Sequence, residues 1–75
     1  MADLVHEFKK PIHKYKVRAF AEKRGHLWIG WLEFKSASET LKTGEETSQP
    51  TKDAVAYWAT GLEPVFLEGA LKRAK

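Results

Sequence analysis

The sequence predicts an α+β domain in which a three-stranded antiparallel sheet packs on a C-terminal helix. Two observations lead to this fold class. Residues 14–34 contain two runs in which apolar and polar side chains alternate, and Arg24-Gly25 separates the runs. Such alternation is typical of half-buried strands. From Val55 onwards the apolar residues recur at helical spacing instead.

Size and composition limit the organisation of the chain. Its 75 residues form one domain at most, and 43% hydrophobic with 31% charged residues is typical of a folded protein. There is no cysteine, which excludes disulfides and thiolate metal sites and is compatible with a cytoplasmic location. We expect no signal peptide, because the start Met1-Ala2-Asp3-Leu4 lacks a charged region followed by an apolar core. We also expect no membrane span, because no apolar run approaches roughly 18 residues. We divide the chain into residues 1–13, an N-terminal arm or short helix, and residues 14–75, a single βββα domain.

The N-terminal segment leaves two structures open. Leu4, Val5 and Phe8 would share one face of a short helical turn that Pro11 ends. The same residues could equally belong to a loosely docked arm.

The first two strands are predicted at Lys14–Glu22 and His26–Phe34, joined by a tight turn. A two-residue turn at Arg24-Gly25 pairs residues whose numbers sum to 49. One face of the hairpin is then apolar throughout, with the pairs Ala21–Trp28, Ala19–Gly30, Val17–Leu32 and Tyr15–Phe34. Because several of these side chains are small, this face has a shallow trough in which a helix would fit.

The other face of the hairpin is half basic and half aromatic. Its predicted pairs include a cation–π contact between Arg18 and Trp31 and an ion pair between Lys16 and Glu33. A slip of one residue would bury the Glu33 charge, which favours this register. The full set of pairs on this face is Glu22–Leu27, Phe20–Ile29, Arg18–Trp31 and Lys16–Glu33.

The second half of the chain is predicted to add one strand and the helical region. A third strand covers about Thr40–Thr47 and is interrupted at Gly44. A helix starts after Thr51 as its N-cap and is broken or kinked near Gly61-Pro64, where Pro64 would open a second helix at its N1 position. The predicted buried stripe consists of Val55, Trp58, Leu62, Val65, Phe66 and Gly69.

The residue types argue against catalysis and against cofactors. His6, His13 and His26 have neither ligand spacing nor cysteine partners, so no metal site is expected. Nucleophile motifs are absent, the five glycines are scattered, and a chain this short has little room for a deep pocket. We therefore expect a non-enzymatic protein without a cofactor.

The basic and aromatic face is the candidate binding surface, with Lys16, Arg18, Phe20, Ile29 and Trp31 as its contact residues. In one interpretation, this face is covered by a second copy of the chain, which gives a homodimer, or by a protein partner. In a second interpretation, nucleic-acid bases stack on the aromatic rings while the cations neutralise phosphates. In a third, the N-terminal arm folds back and covers this face within the same chain. The leading expectation is a protein-interaction or regulatory module, with nucleic-acid binding as the alternative.

Three segments resemble a known family. The strands Tyr15–Glu22 and Trp28–Phe34 and the helix start Thr51–Trp58, with Gly44–Thr47 before the helix, are similar to HicB-type antitoxin domains. The resemblance implies a small three-stranded sheet backed by a helix, in a regulatory protein. Double-stranded RNA-binding domains share this core topology, but where their helix opens with a lysine-rich motif that grips phosphate, Thr51-Lys52-Asp53 has one lysine beside an acid.

Overall fold

The computed structural model describes all 75 residues and has an α+β architecture. An antiparallel sheet carries two C-terminal helices on one face, which confirms the predicted fold class. The sheet has five strands where three were predicted. In chain order the elements are β1 Asp3–Glu7, β2 Lys16–Arg24, β3 Leu27–Lys35, β4 Thr40–Lys42, β5 Thr47–Gln49, α1 Lys52–Thr60 and α2 Pro64–Arg73.

The β2–β3 hairpin has a register that differs by two residues from the predicted one. Its turn is Gly25-His26, so Val17 lies opposite Phe34. Gly25 has a φ of +60°, a conformation that glycine adopts readily and that a type II′ turn requires at its first central position. The predicted pairing is therefore wrong. Because the shift is an even number of residues, every side chain nevertheless stays on its predicted face.

The N-terminal segment forms an edge strand, and it is neither a helix nor a loose arm. β1 pairs antiparallel with β2, with an irregularity in the register between Leu4 and His6. Leu4 lies opposite Phe20, while Val5 and Phe8 pack against the hydrophobic core. The boundary predicted between residues 13 and 14 therefore does not separate an appendage from the domain, because β1 belongs to the same sheet.

The predicted third strand runs along the free edge of β3 in two pieces. β4 and β5 both pair with β3. The four residues 43–46 that join them lie opposite only two residues of β3, so the chain bulges there. Thr43 fills the gap, because its side-chain oxygen accepts a hydrogen bond from the Leu32 amide at 3.0 Å. The predicted interruption at Gly44 is thus confirmed.

The helical region is broken where the sequence predicts it. The Thr51 hydroxyl accepts a hydrogen bond from the Ala54 amide at 3.1 Å and caps α1, and Pro64 is at the start of α2. The break also changes which residues of α2 face the core, because the helical spacing does not continue from α1 into α2. The predicted stripe assumed one continuous spacing through Gly61 and Pro64. Val65 is 76% exposed, whereas Leu67 and Ala70 are buried.

The core lies between the inner sheet face and the helices. Its largest fully buried side chains are Val17, Leu32, Phe34 and Val55, each of which contributes about 1.5–3 kcal/mol by burial. α1 approaches the sheet over Gly30, where a Cβ atom would meet Val55 Cγ1 at 2.6 Å. The trough predicted on this face therefore accommodates the helix.

The C-terminal residues close the free edge of β4. The Lys75 amide donates to the Lys42 carbonyl oxygen at 3.0 Å, and the Lys42 amide donates to the Lys75 carbonyl oxygen at 3.1 Å. Arg73 adds an ion pair to Glu46 at 2.5 Å, within the segment that joins β4 to β5. Pairing an exposed strand edge in this way protects it from pairing with another chain.

Candidate interaction surface

The sheet face opposite the helices is not covered by any element of the chain. Both helices contribute to the core on the face of Val17, Ala19 and Leu32. On the other face, which we call the outer face, Leu4 and Leu27 are 45% and 47% exposed. An apolar sheet face left open in this way is a candidate for an interaction surface.

An apolar row crosses the middle of the outer face. Leu4, Phe20 and Trp31 lie directly opposite one another on β1, β2 and β3. The rings of Phe20 and Trp31 stack with centroids 6.1 Å apart and an interplanar angle of 17°. Arg18 lies 5.3 Å from the centroid of Phe20, so its cation–π partner is Phe20 and the predicted contact with Trp31 is wrong.

A charged row runs beside the aromatic pair. Going across the sheet, Glu7 lies opposite Arg18, Arg18 opposite Glu33, and Glu33 opposite Lys42. Arg18 Nε and Nη2 donate to Glu33 Oε1 at 3.0 and 2.7 Å, and Glu33 is 8% exposed. The signs alternate, so this row is neutral overall. The ion pair predicted between Lys16 and Glu33 is wrong, because the observed register places Lys35 opposite Lys16.

Ile29 lies on the outer face as predicted but is only 6% exposed. It lines the floor of a shallow depression of about 340 Å³ between Trp31, Glu22 and the bulging segment at Gly44. A partner would reach Trp31 before it reached Ile29. Leu27 was predicted on this face, and the structure places it there opposite Arg24. The exposed Leu4 was not predicted as part of the sheet face, because the N-terminal strand was not foreseen.

The predicted contact residues therefore separate into two groups. Arg18, Phe20 and Trp31 come together in the middle of the outer face, with Ile29 beneath their edge. Lys16 lies apart from them, at the end of the face that is farthest from the hairpin turn. The idea that the N-terminal segment covers the patch is wrong, since only Leu4 of its apolar residues lies on that face.

One titratable group on the rim of the core is perturbed. The Tyr15 hydroxyl donates a hydrogen bond to Glu39 Oε2 at 2.7 Å. This hydrogen bond, together with desolvation and the Glu39 charge, raises the pKa of Tyr15 above its usual value of 10.0. The contact ties the start of β2 to the β3–β4 loop and does not reach the outer face.

Comparisons with protein-family models, with curated proteins and with solved structures found no match for this chain. The similarity to HicB-type and double-stranded RNA-binding domains therefore remains a prediction. Neither helix is long and apolar enough to cross a membrane.

Proposed function

We propose that this protein is a non-catalytic interaction module that forms a homodimer through the outer sheet face. The observation that carries the proposal is the stacked pair of Phe20 and Trp31, which lies half-buried on a face without any covering element. Aromatic rings of this kind are enriched at the centres of protein interfaces.

The neighbouring charges favour a protein surface as the occupant. Arg18 and Glu33 already neutralise each other, and Glu7 and Lys42 continue the alternation. Covering such a row requires little removal of uncompensated charge, whereas an isolated cation would be costly to bury. The apolar row can therefore be covered together with the charged row.

A twofold arrangement suits this pattern of rows. An axis perpendicular to the strands and centred on the aromatic row would place Phe20 and Trp31 on their counterparts in the second copy. Arg18 would then face Glu22 of the second copy near the centre, and the row of Lys16 and Lys35 would face that of Arg24 and Leu27 at the rim.

The size of the face limits the expected affinity. The strands together have 29 residues and present about 460 Å² per copy, from a rise of about 3.3 Å and a spacing of about 4.8 Å. Two copies would bury roughly 900 Å², in the range of weak or transient interfaces. We therefore expect a dimer with a dissociation constant in the micromolar range.

The first test is a sedimentation experiment on Trp31→Ala. Truncating a central aromatic residue costs about 1.4–3 kcal/mol of association, which is a 10- to 100-fold weaker dimer. Tyr57→Ala is the matched control, since Tyr57 is 82% exposed on α1, away from the sheet face. Equal masses for wild type, Trp31→Ala and Tyr57→Ala at every concentration would refute the proposal.

The second candidate function is the binding of single-stranded nucleic acid by the same face. The stacked rings of Phe20 and Trp31 support it, because bases stack on aromatic rings, and Lys16, which forms no ion pair, is a cation for the backbone on the same face. If this candidate function is correct, the protein should bind a single-stranded oligonucleotide at low salt, and binding should weaken steeply as the salt concentration rises. Absence of retention at low salt would eliminate it.

A further inference from the structure

A concave basic cleft lies at the end of the outer face that is farthest from the hairpin turn. It is open to solvent, has a volume of about 850 Å³ and is bounded by the β1–β2 connection, the start of β2 and the end of β3. The charged residues that line it are five cations and one carboxylate, namely Lys9, Lys14, Lys16, Arg18, Lys35 and Glu7. His13 adds an imidazole to the same wall.

Two of these lysines oppose each other without a neutralising partner. Lys16 and Lys35 are directly opposite in the β2–β3 register, so they share a face, and both are exposed. Like charges in this position destabilise a sheet. Neither of them forms an ion pair, and the same is true of Lys9.

The remaining cations of the cleft are differently engaged. Arg18 is bound to Glu33 at 2.7 Å, whereas Lys14 has only a marginal contact with Glu39 at 4.0 Å. The next row of the sheet is neutral, so the uncompensated positive charge is concentrated in the cleft. A concave surface of one sign attracts ligands of the opposite sign.

We infer that this cleft binds a chain of two or more phosphate groups. Lys9, Lys14, Lys16 and Lys35 present separate ammonium groups, and lysine binds phosphate as a point charge. One phosphate carries too little charge to neutralise all four, whereas a di- or triphosphate approaches their total. A small polyphosphorylated molecule and a nucleic-acid backbone both supply this chemistry. The inference goes beyond the proposed dimer, because the cations belong to the cleft of a single copy. A second copy over the outer face would cover Lys16 and Lys35, so the ligand and the second copy would compete for this end of the face.

The test uses Lys16→Glu with Lys23→Glu as its matched control. Both substitutions change the charge of β2 equally, but Lys23 is seven positions away, about 23 Å along the strand. The carboxylate introduced at position 16 would face Lys35 and form an opposite-charge pair, so Lys16→Glu should raise the melting temperature by about 1–5 °C. Loss of binding in this variant could therefore not be attributed to unfolding.

The binding measurement is a calorimetric titration with inorganic tripolyphosphate at low salt. We expect wild type and Lys23→Glu to bind, and Lys16→Glu to bind at least tenfold more weakly. No binding by wild type, an equal loss in both variants, or equally tight binding of polyglutamate would overturn the inference.

A second arm titrates an oligothymidylate to identify the source of the phosphates. If it binds more than tenfold tighter than tripolyphosphate and depends on Lys16, the cleft takes a nucleic-acid backbone. Binding no tighter than that of tripolyphosphate assigns the cleft to a small polyphosphorylated ligand. Either result supports the phosphate site.

Discussion

Gly30→Ala tests how closely α1 is seated on the sheet. The new Cβ atom would lie 2.6 Å from Val55 Cγ1 and 2.9 Å from Thr47 Cγ2, well inside ordinary van der Waals distance. Both neighbours are β-branched, so they have few other rotamers, and Val55 is fully buried. The clash must be relieved by moving α1 or the edge strand, which costs about 1–3 kcal/mol.

In thermal unfolding followed by tryptophan fluorescence, this cost lowers the melting temperature by about 5–20 °C for a domain of this size. Gly69→Ala provides the control, because its nearest heavy atom is Arg73 Nη1 at 3.7 Å and alanine favours a helix. Combining Gly30→Ala with Val55→Ala should cost less than the sum of the two single changes. A Gly30→Ala protein as stable as wild type would refute the described packing of α1.

Two further predictions concern a helix cap and pH. Thr51→Ala removes the acceptor for the Ala54 amide and should cost about 0.5–2 kcal/mol in urea unfolding, whereas Thr51→Asn should restore most of the loss. Because the pKa of Tyr15 is raised on folding, its contribution to stability is complete below about pH 10 and is lost as pH rises through the folded value. Tyr15→Phe should therefore weaken the decline of stability above about pH 10. Full stability of Thr51→Ala, or superimposable pH profiles for wild type and Tyr15→Phe, would contradict these statements.

The sequence was sufficient to predict which residues face the core but not how the strands align. Registers that sum to 49 and to 51 put the same side chains on the same faces, so the hydrophobic pattern does not distinguish them. Only the turn does, and Gly25 can occupy either of its two central positions. The choice decides whether Arg18 meets Trp31 or Glu33, and with it the charge pattern of the candidate surface.

The edge of the sheet was harder to predict than its centre. β1 has only five residues and an irregular register, so its sequence does not alternate as β2 and β3 do. Its strand conformation depends on hydrogen bonds to β2, which are a property of the folded chain. The helix break could be predicted from Gly61 and Pro64, but the phase of α2 after the break was set by packing of Leu67 on the core.

The candidate site was predicted where it depended on side-chain alternation within a strand. Phe20 and Trp31 are on the uncovered face for that reason. The basic cleft was not foreseen as a site. Lys35 lies opposite Lys16 only in the observed register, and Lys9 lines the cleft because the β1–β2 connection passes there. Contacts that combine three separate segments are not encoded in any local pattern.

The most direct test of self-association locates the contact between copies in solution. A mixture of isotope-labelled and unlabelled protein allows nuclear Overhauser effects between different copies to be measured selectively. Dimerisation through the outer face predicts such effects from the rings of Phe20 and Trp31 to the same residues of the second copy. Effects confined to helix residues such as Tyr57 and Val65, or none at millimolar concentration, would contradict it.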